Sequence, residues 1–125
     1  MPIPGMIYVM VGAAVGAGLR YWIGLLLSGW SGGYATLAVN VLGSFLIGGL
    51  YGSASGRLWL MMGIGFCGSL TTFSTFSWEV WELIRQHHYG RVIAYVGAMH
   101  SLCLGAVALG MYANATFNLF QLFKK

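Results

Sequence analysis

The sequence predicts an all-helical integral membrane protein with four transmembrane helices, and three observations lead to this class. Hydrophobic residues make up 58% of the 125 residues and charged residues only 6%, whereas a soluble domain carries about 25% charged residues. Each hydrophobic segment is near the ~20 residues that one span needs. Such runs are too long and too continuous for the strands of a membrane barrel. We expect a single transmembrane domain, residues 1–125, that crosses a cell inner membrane or plasma membrane several times.

The four predicted segments follow one another closely along the chain. The first runs from about Pro4 to Leu27 and the second from about Tyr34 to Gly52. The third runs from Trp59 to Arg85 and the fourth from about Val92 to Phe117. The linkers between them have the sequences SGWSGG, SASGR and QHHYGR. These linkers leave no room for a soluble domain.

Small residues recur at four-residue spacing in three of these segments, where they would let another helix approach closely. The sets are Gly12 and Gly16, Gly48 and Gly52, and Gly97, Ser101 and Gly105. We therefore predict that most of the 20 glycines serve helix packing, with Gly68 as the main exception.

The positive charges predict an unusual topology. If the N-terminus is cytoplasmic, three basic residues lie on each side of the membrane, so the positive-inside rule has almost nothing to act on. The inner group is Arg57, Lys124 and Lys125, and the outer group is Arg20, Arg85 and Arg91. Such a chain can insert in both orientations, and two copies can pair antiparallel as a homodimer. That pair would recreate the inverted repeat that larger transporters carry within one chain.

The stretch from Gly65 to Phe76 (GFCGSLTTFSTF) lies in the middle of the third segment. It contains two glycines, two serines and three threonines, at the depth where unsatisfied polar groups cost most. Polar or non-helical backbone is tolerated there only where protein buries it or where it lines a cavity. A slightly polar helix interface is the structural alternative. We favour a helix broken at mid-membrane and a transport or ion site beside the break.

Hydrogen-bond donors in the predicted helices indicate a pathway for a small, strongly hydrated anion. Asn40, in the second segment, offers two amide protons, and the third segment adds hydroxyl groups, among them those of Ser74 and Thr75. Phe73 and Phe76 are three residues apart, so both face one side of a helix. The electropositive edge of an aromatic ring attracts an anion without supplying a full charge. Contact between helices for Asn40 and core packing for the two rings are the structural alternatives.

Titratable groups are nearly absent from the predicted spans. Glu79 and Glu82 are the only carboxylates, and Glu82 can pair with Arg85 three residues later. His100 is either a buried hydrogen-bonded histidine or a proton relay. Arg20, at the end of the first segment, can extend to the interface and place positive charge at an entrance. These groups form no catalytic set and no nucleic-acid interface, so we predict neither an enzyme nor a nucleic-acid partner.

Three motifs resemble those of a known family and occur in its order and spacing. They are GAGLRY (16–21), TLAVNVLGSF (36–45) and GFCGSLTTFSTFSWE (65–79). With them, the chain resembles the Fluc (CrcB-type) fluoride channels of microbes. The resemblance implies a dual-topology homodimer in the lipid bilayer, with two antiparallel fluoride pathways. It also implies passive export that lowers cytoplasmic fluoride, which enters cells as HF in acid surroundings.

The resemblance also assigns roles to individual residues. Asn40 resembles the pore asparagine, and Phe73 and Phe76 resemble the paired phenylalanines whose ring edges line the fluoride path. Further residues carried over by position are Ser74, Thr75 and Tyr95 in the polar track and Arg20 in the vestibule. The backbone carbonyls of Gly68 and Thr71 match the helix break, where one structural, non-transported sodium ion lies on the dimer axis.

The chain departs from the family pattern at three positions. Ser69 stands where the family usually has a second glycine, which is tolerable if Gly68 makes the break. In the fourth segment, Met99 and Cys103 fall where the family offers serines. Ser101 would substitute for them only if the helix register shifts, so the far end of the polar track stays open.

Two other functions are considered beside the fluoride channel. A small four-helix, proton-coupled multidrug exporter is also an antiparallel pair, but it needs an intramembrane carboxylate in its substrate cavity, and the first segment has none. The other is a structural or accessory membrane protein without a pathway of its own. The cluster of phenylalanines and donors argues against this second alternative.

Overall fold

A computed structural model describes residues 3–29 and 33–123 and shows helices without strands among them. The first helix spans Ile3–Leu26 and the second helix spans Tyr34–Leu50. The third helix spans Gly56–Arg85 and the fourth helix spans Tyr89–Phe123. The first, third and fourth are long and apolar enough to cross a membrane, and the second is a shorter apolar helix of 17 residues. The prediction of an all-helical membrane protein is confirmed, and the architecture is consistent with four transmembrane helices.

The third helix is broken, as predicted, but not at Gly68. Its upstream half (residues 56–70) and its downstream half (Phe73–Arg85) are joined by Thr71 and Thr72, which are both extended. Gly68 has helical dihedral angles, with φ −63° and ψ −30°. The expectation that Gly68 makes the break is therefore wrong. Thr72 caps the downstream half, since its side-chain oxygen accepts from the N–H of Thr75 at 3.3 Å, as an N-cap threonine does.

Glycines let two pairs of helices approach so closely that their backbones are in contact. A Cβ on Gly12 would overlap the Met61 carbonyl, and one on Gly16 would overlap the Phe66 carbonyl. These contacts press the first helix against residues Trp59–Cys67 of the third helix, which form a π-helix. On the other side, a Cβ on Gly48 would overlap the Val107 carbonyl of the fourth helix. The packing role predicted for these glycines is confirmed.

The other small residues that the sequence analysis named at four-residue spacing have open surroundings. Among the described residues, a Cβ on Gly52, Gly97 or Gly105 would meet nothing within 4 Å, and Ser101 is exposed between the last two. The structure therefore does not confirm a packing role for these residues within one chain. The fourth helix instead presents an open stripe of small residues.

Candidate functional site

Asn40 fastens the second helix to the break in the third helix. Its Oδ1 accepts from the N–H of Thr72 at 2.7 Å, and its Nδ2 donates to the Thr72 carbonyl at 3.2 Å. Both residues are buried. Because a buried backbone polar group must find a partner, the amide supplies what the interrupted helix no longer provides. The structural role considered for Asn40 is real, and it lies at the break rather than between two regular helices.

Two sulfur atoms lie beside this amide. The Nδ2 of Asn40 is also within 3.4 Å of the Met99 Sδ, and the Cys103 thiol donates to the same Sδ at 3.9 Å. Met99 and Cys103 therefore lie beside Asn40, at the positions where the family resemblance places the serines of the fourth segment. Ser101 is exposed and does not take their place.

A cavity of about 340 Å³ joins these groups to the two phenylalanines. Asn40, Thr72, Met99 and Cys103 line it together with Phe73 and Phe76. The two phenyl rings are tilted at 54° with centroids 5.7 Å apart. Phe76 is buried, whereas Phe73 is 74% exposed. The structure thus brings Asn40, Phe73 and Phe76 together on one cavity, as the sequence analysis expected.

The hydroxyl groups of the downstream half cluster around the helix cap. The Thr72 Oγ1 lies 3.3 Å from the Ser74 Oγ and 3.0 Å from the Thr75 Oγ1. Thr75 also lines a second cavity, of about 290 Å³, together with Arg20, Thr72 and Glu79. Ser74 and Thr75 are therefore close to Thr72 and lie next to the cavity that holds the rings.

Tyr95 is already engaged with a carboxylate. Its hydroxyl donates to the Glu79 Oε2 at 2.6 Å, and the Thr36 Oγ1 donates to the Glu79 Oε1 at 2.8 Å. A tyrosine hydroxyl carries one proton, so Tyr95 does not offer that proton to an anion in this arrangement. The ring of Tyr95 still packs on Phe76, with centroids 5.3 Å apart.

Glu79 and Thr36 are site residues that the sequence analysis missed. Glu79 was noted only as a carboxylate near the end of a span, and Thr36 was not singled out. Thr36 precedes Asn40 by four residues, so helical periodicity places both on one face. That spacing is the signal that could have indicated Thr36.

Arg20 contacts the backbone at the break in the third helix. Its Nη1 donates to the Thr71 carbonyl at 3.2 Å, and the contact is partly buried. This carbonyl lacks its usual helical partner, because the N–H of Thr75 donates to the Thr72 side chain. A place for Arg20 at an entrance to the pathway stays a prediction.

The carbonyl of Gly68 also loses its usual helical donor. In a continuous helix the N–H of Thr72 would point to that oxygen, but here it donates to Asn40. Gly68 and Thr71 line a further cavity of about 300 Å³. Backbone carbonyl oxygens are of the ligand type that hard cations take, although the Thr71 oxygen already accepts from the Arg20 guanidinium. Among the described residues, no group of three His, Cys, Asp or Glu side chains is arranged to hold a metal.

These features define a helical membrane protein with a cavity at the break of its third helix, lined by an amide, hydroxyl groups, aromatic rings and sulfur-containing side chains. The family model described as CrcB-like protein, Camphor Resistance (CrcB), matches residues 7–111. A protein of Hahella chejuensis named fluoride-specific ion channel FluC is 41% identical over 122 residues, 89% of this chain and 94% of its own length. A protein of the same name from Gloeobacter violaceus is 42% identical over 113 residues, 83% of this chain and 88% of its own. Fluoride-specific ion channel FluC 1 of Listeria monocytogenes is 45% identical over 104 residues, 80% and 88% of the two chains. The chain belongs to the CrcB-like family.

Proposed function

We propose that this protein is a fluoride-selective ion channel that lets fluoride leave the cell passively and so lowers cytoplasmic fluoride. The observation that carries the proposal is the agreement of relatives named as fluoride-specific channels over most of both chains. The cavity supports it, because an amide, hydroxyl groups and ring edges are suited to replacing the water around a small anion. The protein is an ion channel and not an enzyme. Nothing supports a proton-coupled multidrug exporter.

The fluoride pathway that we propose follows the cavity from the Phe73 and Phe76 ring edges past Asn40. Ser74 and Thr75 supply hydroxyl groups of the polar track, the Tyr95 hydroxyl joins it only when it is released from Glu79, and Arg20 supplies positive charge. Among these groups only the Arg20 guanidinium carries a fixed positive charge, and it is bound to a backbone carbonyl. Because no free positive charge lies along this pathway, it should bind the anion weakly. Weak binding allows the ion to leave again, as conduction requires.

The working unit that we propose is an antiparallel, dual-topology homodimer. The exposed ring of Phe73 supports it. This residue of the proposed pathway is 74% exposed in one subunit, and a partner subunit would cover it and close the pathway on that side. The open stripe of Gly97, Ser101 and Gly105 on the fourth helix also supports it, since small residues allow close packing of membrane helices. The balanced basic residues support the opposite orientation of the two copies.

The carbonyls of Gly68 and Thr71, taken from both subunits, would hold a structural sodium ion at the dimer axis. The diverted N–H of Thr72 supports this role, because it leaves the Gly68 carbonyl without its helical donor. A carbonyl oxygen has two lone pairs, so Thr71 can accept from Arg20 and still contact a cation.

Expression in a bacterial strain that lacks its own fluoride exporter tests the function. The protein should restore growth in fluoride, and the benefit should be larger in acid medium, where fluoride enters as HF. A matched vector that carries the Phe76→Ile variant should not restore growth. Failure of the parent protein to protect the cells, although it is present in their membrane, would contradict the proposed function.

A further inference from the structure

We propose that the Met99 thioether is a releasable cap on the anion-binding amide of Asn40 and thereby sets the apparent fluoride affinity. This inference rests on the proposed function, and it concerns a side chain that stands where the family resemblance leads one to expect a hydroxyl group. Met99 would act through Asn40, as a positioning residue, without contacting the ion itself.

The first step is that the Asn40 side-chain nitrogen, the only group of that amide that can donate to an anion, already has two acceptors. An amide has two N–H protons and one carbonyl oxygen. The oxygen accepts from the N–H of Thr72 at 2.7 Å, and the nitrogen donates to the Thr72 carbonyl at 3.2 Å and to the Met99 Sδ at 3.4 Å. Fluoride can therefore bind this amide only if one of these partners gives way.

The second step is that the sulfur is the partner that gives way. Release of Thr72 would leave two buried backbone groups without partners at the helix break, which is costly. A thioether is only a weak acceptor, whereas a hydrogen bond to an ion is roughly twice as strong as one between neutral groups. Met99 is buried, but it has three rotatable bonds and lines the cavity of about 340 Å³, so its thioether can turn into that space.

The third step is that the Cys103 thiol contacts the same thioether. Its thiol donates to the Met99 Sδ at 3.9 Å, one helical turn further along the fourth helix. Loss of that donor should loosen Met99 without touching Asn40. The contacts thus run from the Cys103 thiol to the Met99 sulfur and from that sulfur to the Asn40 amide.

Met99→Leu tests the cap, because leucine has a similar volume and no acceptor. In fluoride efflux from liposomes, half-saturating fluoride should fall about threefold, within the range of one net hydrogen bond. Maximal flux should fall as well, because an ion that binds more tightly leaves more slowly. Simple damage to the pathway would lower maximal flux without improving the half-saturation. Met111→Leu, an exposed position on the same helix, is the matched control and should match the parent.

Cys103→Ala provides a second reading that does not depend on the leucine variant folding. It should also lower half-saturating fluoride, by a smaller factor than Met99→Leu. If the parent conducts fluoride, an unchanged or higher half-saturating fluoride concentration in Met99→Leu would overturn the proposed cap. If the leucine variant does not assemble, the same result in Cys103→Ala would overturn it. A parent that conducts no fluoride would instead contradict the proposed function.

Discussion

At the scale of single residues, the Asn40 amide holds the helix break, and the proposed pathway asks the same amide to contact the anion. Its Oδ1 and Nδ2 hold the two backbone groups of Thr72, and its Nδ2 also donates to the Met99 sulfur. The sequence indicated that the amide needed a partner in the membrane. It did not identify the partner, because Thr72 is 32 residues away. The same holds for Glu79, whose contact with Thr36 spans 43 residues.

Asn40→Asp should abolish fluoride flux. A carboxylate can still accept from the N–H of Thr72, but it cannot donate to the Thr72 carbonyl, and its negative charge repels an anion. The unpaired carbonyl should lower the free energy of unfolding by about 1–3 kcal/mol. Liposome efflux and thermal unfolding in detergent measure the two effects. Asn118→Asp, an exposed change on the fourth helix, is the control, and normal flux in Asn40→Asp would show that the amide is not on the pathway.

At the scale of the helix, the break depends on side chains and not on the glycine nearest to it. The composition of Gly65–Phe76 was sufficient to predict an interruption. Its position required knowledge of the Thr72 cap and of the amide from the second helix, neither of which follows from local propensity. Gly68 stays helical, because its backbone freedom permits a break without enforcing one.

Thr72→Ala should weaken the downstream half of the third helix. The change removes the cap on the N–H of Thr75, which is worth about 1 kcal/mol, and it also removes the contacts to the Ser74 and Thr75 hydroxyl groups. We expect a lower unfolding temperature and reduced flux. Thr72→Ser keeps the hydroxyl group and should stay close to the parent. Equal losses in the two variants would mean that the cap does not stabilise the break.

Removal of sodium should affect the same element. If the Gly68 and Thr71 carbonyls of both subunits hold a sodium ion, its replacement by a large organic cation leaves them without a partner and should weaken activity or assembly. Flux and dimer mass are measured in sodium and in the substitute at equal ionic strength. A protein that conducts and assembles equally in both solutions would exclude the sodium site.

At the scale of the whole molecule, the sequence was most informative. Hydrophobic length and the scarcity of charge predicted the helical membrane class and placed all four segments near their observed ends. The fourth helix extends beyond its predicted ends on both sides, because polar residues such as Arg91 and Asn118 end a hydrophobic segment without ending a helix. The proposed pairing of two copies rests on indirect features of one chain, namely the exposed Phe73 and the open stripe of small residues.

Dual topology predicts that reporters fused to the C-terminus give signals from both sides of the membrane. Two or three lysines added to the SASGR linker should favour one orientation by the positive-inside rule and reduce function, because fewer antiparallel pairs form. The same number of glutamines in that linker is the control for the insertion itself. A single orientation in the unmodified protein would contradict the antiparallel dimer.

Fluoride efflux from liposomes that contain the purified protein tests the central claim most directly. With valinomycin present to balance charge, a fluoride electrode should record rapid release, while a chloride electrode records almost none. Phe73→Ile and Phe76→Ile keep most of the bulk and remove the electropositive edge, so fluoride release should fall steeply although the dimer still purifies; methionine should be milder. Equal release of chloride and fluoride, or no fluoride release above protein-free liposomes, would contradict a fluoride-selective channel.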